Sequence, residues 1–133
     1  MIDWVHEACK SWGRCTRWIL ADTNEDYPSS DTIERARQGM LSMGGGTFAQ
    51  RFREVRVGDA LAVMVAISTE PVMPLTLTAH VWTQYVVTGT ARHKLPGLSR
   101  YLGVVISVAE YWRNLDRAHH FLAARIPNRP EKC

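Results

Sequence analysis

The chain reads as a mainly α, single-domain protein, a small helical domain with a helix-turn-helix in its C-terminal third. Three observations predict this. Apolar residues recur at steps of three and four along residues 4–20 and again along 108–126, the spacing of one helix face. Ser107-Val108-Ala109-Glu110 is a capping box, in which the serine hydroxyl and the glutamate carboxylate each take the other's backbone amide. After Pro74, Leu75, Ala79, Trp82, Tyr85 and Val86 also recur at helical spacing. With 133 residues, 46% of them apolar and 22% charged, the chain can bury a core without metal or disulfide staples. The expected layout is an N-terminal helix and flexible loop segment over residues 1–58, then a helical core over 59–126 holding the helix-turn-helix at about 95–126. A tail over 127–133 completes it.

Residues 4–20 form the first expected helix, with Asp3 as N-cap. Trp4, Ala8, Trp12, Cys15, Trp18 and Ile19 share an arc of ~120°, and His6, Lys10, Arg14 and Arg17 take the opposite side. Gly13 costs this helix ~1 kcal/mol relative to Ala, so something must tolerate or need it. DTNEDYPSSD (22–31) is turn chemistry, and its carboxylates have no fixed geometry for catalysis or metal. A short helix over 32–39, capped by Asp31, and a flexible joint at Gly44-Gly45-Gly46 follow. That joint is no phosphate loop, because no G-K-S/T completes it. Asp59 caps ALAVMVAIS, a run apolar nearly all round, which fits a buried helix or a strand. Pro71 and Pro74 interrupt the chain. Leu75, Ala79, Trp82, Tyr85 and Val86 then step at helical spacing, though Thr76, Thr78, Val81 and Thr83 weaken the helical case. Gly89 ends the element. Residues 95–102 are the first helix of the helix-turn-helix, and 108–126 the second. Val108, Tyr111, Leu115, Ala118, Leu122 and Ile126 make the buried stripe of that second helix, and Pro127 stops it.

Charge distribution says more than net charge. Residues 1–88 balance at −2 and residues 89–133 at +5, so a polyanion should be met by the C-terminal third. Off the apolar stripe, the second helix shows Glu110, Arg113, Asn114 and Arg117 after Ser107. Arg can grip a guanine edge and Asn an adenine edge through paired hydrogen bonds. This predicts base readout by Arg113 and Asn114 in double-stranded DNA, with Arg92, Lys94 and Arg100 on phosphates. The plainer alternative is a soluble outer face on an ordinary helical hairpin.

The three cysteines are an odd number without C-x-x-C, and MIDWVHEACK lacks the basic and apolar regions of a signal peptide. Reduced thiols in a cytoplasm are therefore expected, with Cys9 at a boundary, Cys15 among the tryptophans and Cys133 in the tail. No apolar run approaches the ~20 residues of a membrane helix. His6, Cys9 and Cys15 match no common zinc spacing. His80 reads as a satisfied core or boundary histidine. His119 and His120 favour the helix dipole, could touch phosphate, and have no visible catalytic partner. No catalytic residue, metal or cofactor is expected.

Several weak motifs in order carry a resemblance. GDALAVMVA after Asp59 is followed by AHVWTQYVVTG, then by Ser107 with Tyr111-Trp112-x-x-Leu115-x-x-Ala118, while Trp12-Gly13 lies in the first helix. From about Asp59 to Ile126, and more faintly over the first helix, the chain resembles the small lambdoid type of phage late-gene antitermination protein Q. The resemblance implies a helix-turn-helix like that of sigma region 4 and work in a bacterial cytoplasm. It implies binding of a DNA element at a phage late promoter and engagement of RNA polymerase, with sigma factor present during loading. The polymerase then reads through pauses and terminators as its RNA exit channel is narrowed. Lys10, Arg14 and Arg17, with Arg51, Arg53 and Arg56 after the triple glycine, would face polymerase or nascent RNA. One departure is Val104-Val105-Ile106, which lengthens the turn by about two residues; either the turn is expanded or the first helix continues past Gly103. The competing readings are a helix-turn-helix regulator acting at initiation, a small enzyme such as a nuclease or hydrolase, and a structural or assembly protein.

Overall fold

The computed structural model describes residues 2–20, 34, 38 and 57–126. Among these residues the secondary structure is helical, with no strand. The helices are α1 (Asp3–Ile19), α2 (Val57–Ser68), α3 (Leu75–Tyr85), α4 (Ala91–Leu102) and α5 (Val108–Ala123). Glu34 and Gln38 are helical too, and Gln38 Nε2 donates to Glu34 Oε2 at 3.0 Å. The rest of the helix expected over 32–39, the triple glycine, Arg51, Arg53, Arg56 and the tail lie outside the described residues.

α3 is the hub. α1 and α5 both pack on it, α1 also lies along α2, and α4 bridges α3 and α5. The core runs through Trp12 and Trp82, whose rings meet edge to face at 5.9 Å, and continues through Met64, Leu98, Tyr111, Leu115 and Leu122. Such aromatic pairs add ~1 kcal/mol beyond the area they bury.

Gly13 has a clear reason. A Cβ placed on it would overlap the Tyr85 carbonyl oxygen and stand 3.0 Å from Tyr85 Cβ. The α1 backbone therefore touches the end of α3, and only glycine leaves the room. The ambiguous apolar run is helix α2. The threonines that weakened the case for α3 are accommodated by back-bonding: Thr78 Oγ1 donates to the Pro74 carbonyl (3.2 Å) and Thr83 Oγ1 to that of Ala79 (2.8 Å). Buried hydroxyls are thereby satisfied inside the helix that contains them.

Several expectations shift. α1 begins one residue early, with Ile2 in the cap position and Asp3 in the first turn, where its charge suits the helix dipole. Asp59 likewise sits inside the first turn of α2. Cys9 is fully buried rather than at a boundary. Leu75 is 59% exposed and Val108 45% exposed, because each opens its helix before the buried stripe begins. The element ending near Gly89 stops at Tyr85, and Gly89 serves the following loop at φ 113°. α4 starts at Ala91, capped by Thr90, whose side chain accepts from the His93 amide at 3.3 Å.

α4 stops at Leu102, and Gly103 takes the left-handed conformation at φ 76° that commonly ends helices. The Gly103 and Val104 amides both donate to the Ser99 carbonyl (2.9 and 3.2 Å), and the Ile106 amide donates to Ser99 Oγ (3.0 Å). The first helix therefore does not continue past Gly103; residues 103–107 join α4 to α5, and one serine side chain and carbonyl hold them. Ile106 is buried beneath it, while Val105 is 88% exposed. α5 then starts at the capping box, with both reciprocal bonds present.

Candidate nucleic-acid interface

α5 is pinned from below. Tyr111, Leu115, Ala118, His119 and Leu122 are buried, and the Tyr111 hydroxyl donates to Gln84 Oε1 at 2.6 Å. At ~100° per residue, Glu110, Arg113 and Arg117 fall within ~60° of one another, opposite that buried side. All three are exposed, as are Arg92 and Arg100 on α4. Trp112 flanks them, exposed on one side and set edge-on to Tyr111 at 5.1 Å. Ser107 and Glu110 hold the helix start through the capping box, so their first role is to set where α5 begins.

Three sequence-predicted residues sit elsewhere. Lys94, expected on a phosphate, is 8% exposed; its Nζ donates to the Thr83 carbonyl (3.0 Å) and the Gln84 carbonyl (3.3 Å). It covers the carbonyls that end α3, where a cation opposes the negative end of the dipole. Burial, then the charge of Arg17, pulls its pKa down. Asn114, expected to read a base, is half-buried and turned to His80. His80 Nδ1 must donate to the Thr76 carbonyl (2.7 Å), so Nε2 is its acceptor, and Asn114 Nδ2 donates there at 3.2 Å. Burial holds His80 below the usual histidine range. His119, read as able to touch phosphate, is fully enclosed. His80 itself matches its expected core role.

The basic side of α1 is more structured than a solvated helix back. His6, Lys10, Arg14 and Arg17 line a cleft of about 230 Å³ together with Gln84 and Tyr85 from the end of α3. Arg17 donates from a guanidinium nitrogen to the Tyr85 carbonyl at 2.7 Å, so Arg17 and Lys94 share the carbonyl end of α3. Burial, then the charge of Arg14, lowers the pKa of Arg17. His6 lies opposite the apolar arc of α1, yet its Nδ1 is 2.8 Å from the Tyr85 hydroxyl, which in turn lies 2.9 Å from His119 Nε2. Neither Tyr85 nor Gln84 is legible in the sequence as a cleft residue: Tyr85 follows an apolar periodicity that points to the core, and Gln84 is a lone polar residue with no pattern of its own.

Among the described residues no helix is long and apolar enough to cross a membrane. No family model, no curated protein and no solved structure matches the chain.

Proposed function

We propose that this protein is a transcription antitermination factor. In this reading α4 and α5 act as a helix-turn-helix, like that of sigma region 4, that binds a DNA element near a phage late promoter. The rest of the chain engages bacterial RNA polymerase, which then reads through pauses and terminators as its RNA exit channel is narrowed. The observation that carries DNA binding is the outer face of α5. Glu110, Arg113 and Arg117 stand together in solvent on a helix whose other side is fixed by buried Tyr111, Leu115 and Leu122. A held helix with guanidinium groups near its start is what reading a major groove requires. Arg92 and Arg100 on α4 supply phosphate contacts beside it. Arg113 and Arg117 take the base-reading role, and Asn114 positions α5 through His80. The antitermination part of the reading is supported by the resemblance of residues 59–126 to the Q family. It is also supported by a second basic surface, on α1, for which promoter binding alone gives no use.

The test starts from a randomised duplex library enriched on the protein, which supplies the site. That site, placed upstream of an intrinsic terminator, should raise full-length transcript while the number of initiations stays unchanged. If read-through does not move and only initiation changes, the protein is a helix-turn-helix regulator of initiation.

A further inference from the structure

The cleft between α1 and the end of α3 has a chemical character that its apolar surroundings do not require. Its side chains among the described residues are His6, Lys10, Arg14, Arg17, Gln84 and Tyr85, none of them a carboxylate. Lys10 touches Glu7 at 3.1 Å, but both groups are exposed, and such a pair is worth little and exchanges readily.

The neutral groups are set as donors by a chain of hydrogen bonds. The Ile2 amide donates to His119 Nδ1 at 3.3 Å. A neutral His119 then carries its proton on Nε2 and donates it to the Tyr85 hydroxyl oxygen at 2.9 Å. Tyr85 passes its own proton toward His6 Nδ1 at 2.8 Å, which leaves His6 with its N–H on Nε2. Gln84 accepts the Tyr111 hydroxyl proton on Oε1, so its amide nitrogen is the end left to donate. The described side chains of the cleft thereby offer cations and N–H donors, while its acceptors, Gln84 Oε1 and the Gln84 and Tyr85 carbonyls, are taken by Tyr111, Lys94 and Arg17. Burial lowers the pKa of His119 to about 4, with the nearby His6 adding to the effect, which keeps this order of donors intact near neutral pH.

We propose that this cleft is a phosphodiester-binding site, with Lys10, Arg14 and the Nε2–H of His6 as its principal donors, and that it takes a backbone phosphate of a nucleic acid. The site is separate from the outer face of α5: among the described residues, α1 and the end of α3 line it. Its volume suits one phosphate and part of a sugar rather than a base pair. The phosphate chemistry does not depend on the antitermination reading. Two sources share that chemistry, a single-stranded RNA and the flank of the DNA duplex.

The experiment uses the Lys10→Gln/Arg14→Gln double variant of the full chain. Both positions are exposed, so the variant is expected to fold, which its urea midpoint checks. Arg17 is left in place because it covers the Tyr85 carbonyl. Affinity is measured over a salt series for a labelled 12-nucleotide RNA and for the enriched DNA duplex. The expected result is a loss of about tenfold or more on one of the two. The accompanying fall in the log K against log salt slope should be roughly 0.7 if the RNA is the ligand and roughly 0.9 if the duplex is, one phosphate in either case. Long-range proton–nitrogen spectra at pH 8 should show His6 and His119 as Nε2–H tautomers, and added inorganic phosphate should shift the His6 signal. Wild-type affinity and slope on both ligands overturn the site, and a His6 proton on Nδ1 overturns its assignment as a donor. A failed read-through assay with these losses present removes the antitermination reading and leaves the cleft.

Discussion

Gly13 and His119 show how single residues constrain this protein. Alanine at position 13 would improve helix propensity by ~1 kcal/mol, yet its methyl group would enter the Tyr85 carbonyl. A backbone oxygen held by Arg17 cannot swing aside as a side-chain tip could, so overpacking wins. Gly13→Ala is expected to destabilise by about 1–3 kcal/mol in urea denaturation, and an unchanged or raised midpoint would remove the close-approach explanation. His119 links stability to pH. Its folded pKa, about 4, lies below the ~6.5 of an unfolded histidine. Between those values the unfolded chain binds a proton that the folded chain refuses. The stabilisation is therefore complete above pH 6.5 and is lost as pH falls toward 4. The loss should be on the order of 2 kcal/mol between pH 7.5 and pH 4.5. His119→Gln should shrink that loss, while His80, also depressed by burial, retains a part of it. Parallel pH curves for variant and wild type would count against His119 as the source.

At the scale of elements, the carbonyl end of α3 organises its neighbours. Thr83, Gln84 and Tyr85 present carbonyls that α3 itself does not satisfy, and Lys94 from α4 and Arg17 from α1 cover them. Two helices are thus tied to one dipole end, and α5 joins them where Tyr111 meets Gln84. This separates Lys94 from the cations around it in a measurable way. Lys94→Met should lower stability by ~1–3 kcal/mol, because buried carbonyls lose their donor, and should leave the salt slope of duplex binding unchanged. Arg92→Ala and Arg100→Ala should do the reverse, each removing roughly 0.9 from that slope with little effect on unfolding. A slope change in Lys94→Met at constant stability would return Lys94 to the phosphate contacts.

Over the whole molecule, the proposed reader and the basic cleft stand on different elements joined through α3. Their contributions should therefore separate. Phosphate contacts position a protein on a duplex without carrying sequence, whereas base-edge contacts choose it. Arg113→Ala and Arg117→Ala should each cost ~1–3 kcal/mol on the enriched site and narrow the ratio of specific to non-specific binding. Lys10→Glu/Arg14→Glu should leave that ratio unchanged and reduce terminator read-through. Competition binding against random duplex measures the first quantity, and transcription on the terminator template the second. Loss of the ratio in the α1 variant would merge the two surfaces into one.

What the sequence determined by itself is the helical class and the start of α5; its end, expected at 126, falls at Ala123. Periodicity reports which side of an amphipathic helix is buried, and the capping box at Ser107 is a purely local geometry, so both were legible without neighbours. Arg113 and Arg117 were legible as an outer face for the same reason, since they lie opposite the buried stripe. Tertiary structure alone decided Lys94, Asn114, His119 and His6. Each has a polar side chain whose partner lies across a helix interface: the α3 carbonyls for Lys94, His80 for Asn114, and Tyr85 for both His119 and His6. Spacing along the chain cannot show such partners, because they depend on which helix end arrives beside which. Gly13 combines the two. Its helix-weakening presence was visible in the sequence, but its cause, a carbonyl of residue 85 against its backbone, exists only once α1 and α3 have packed.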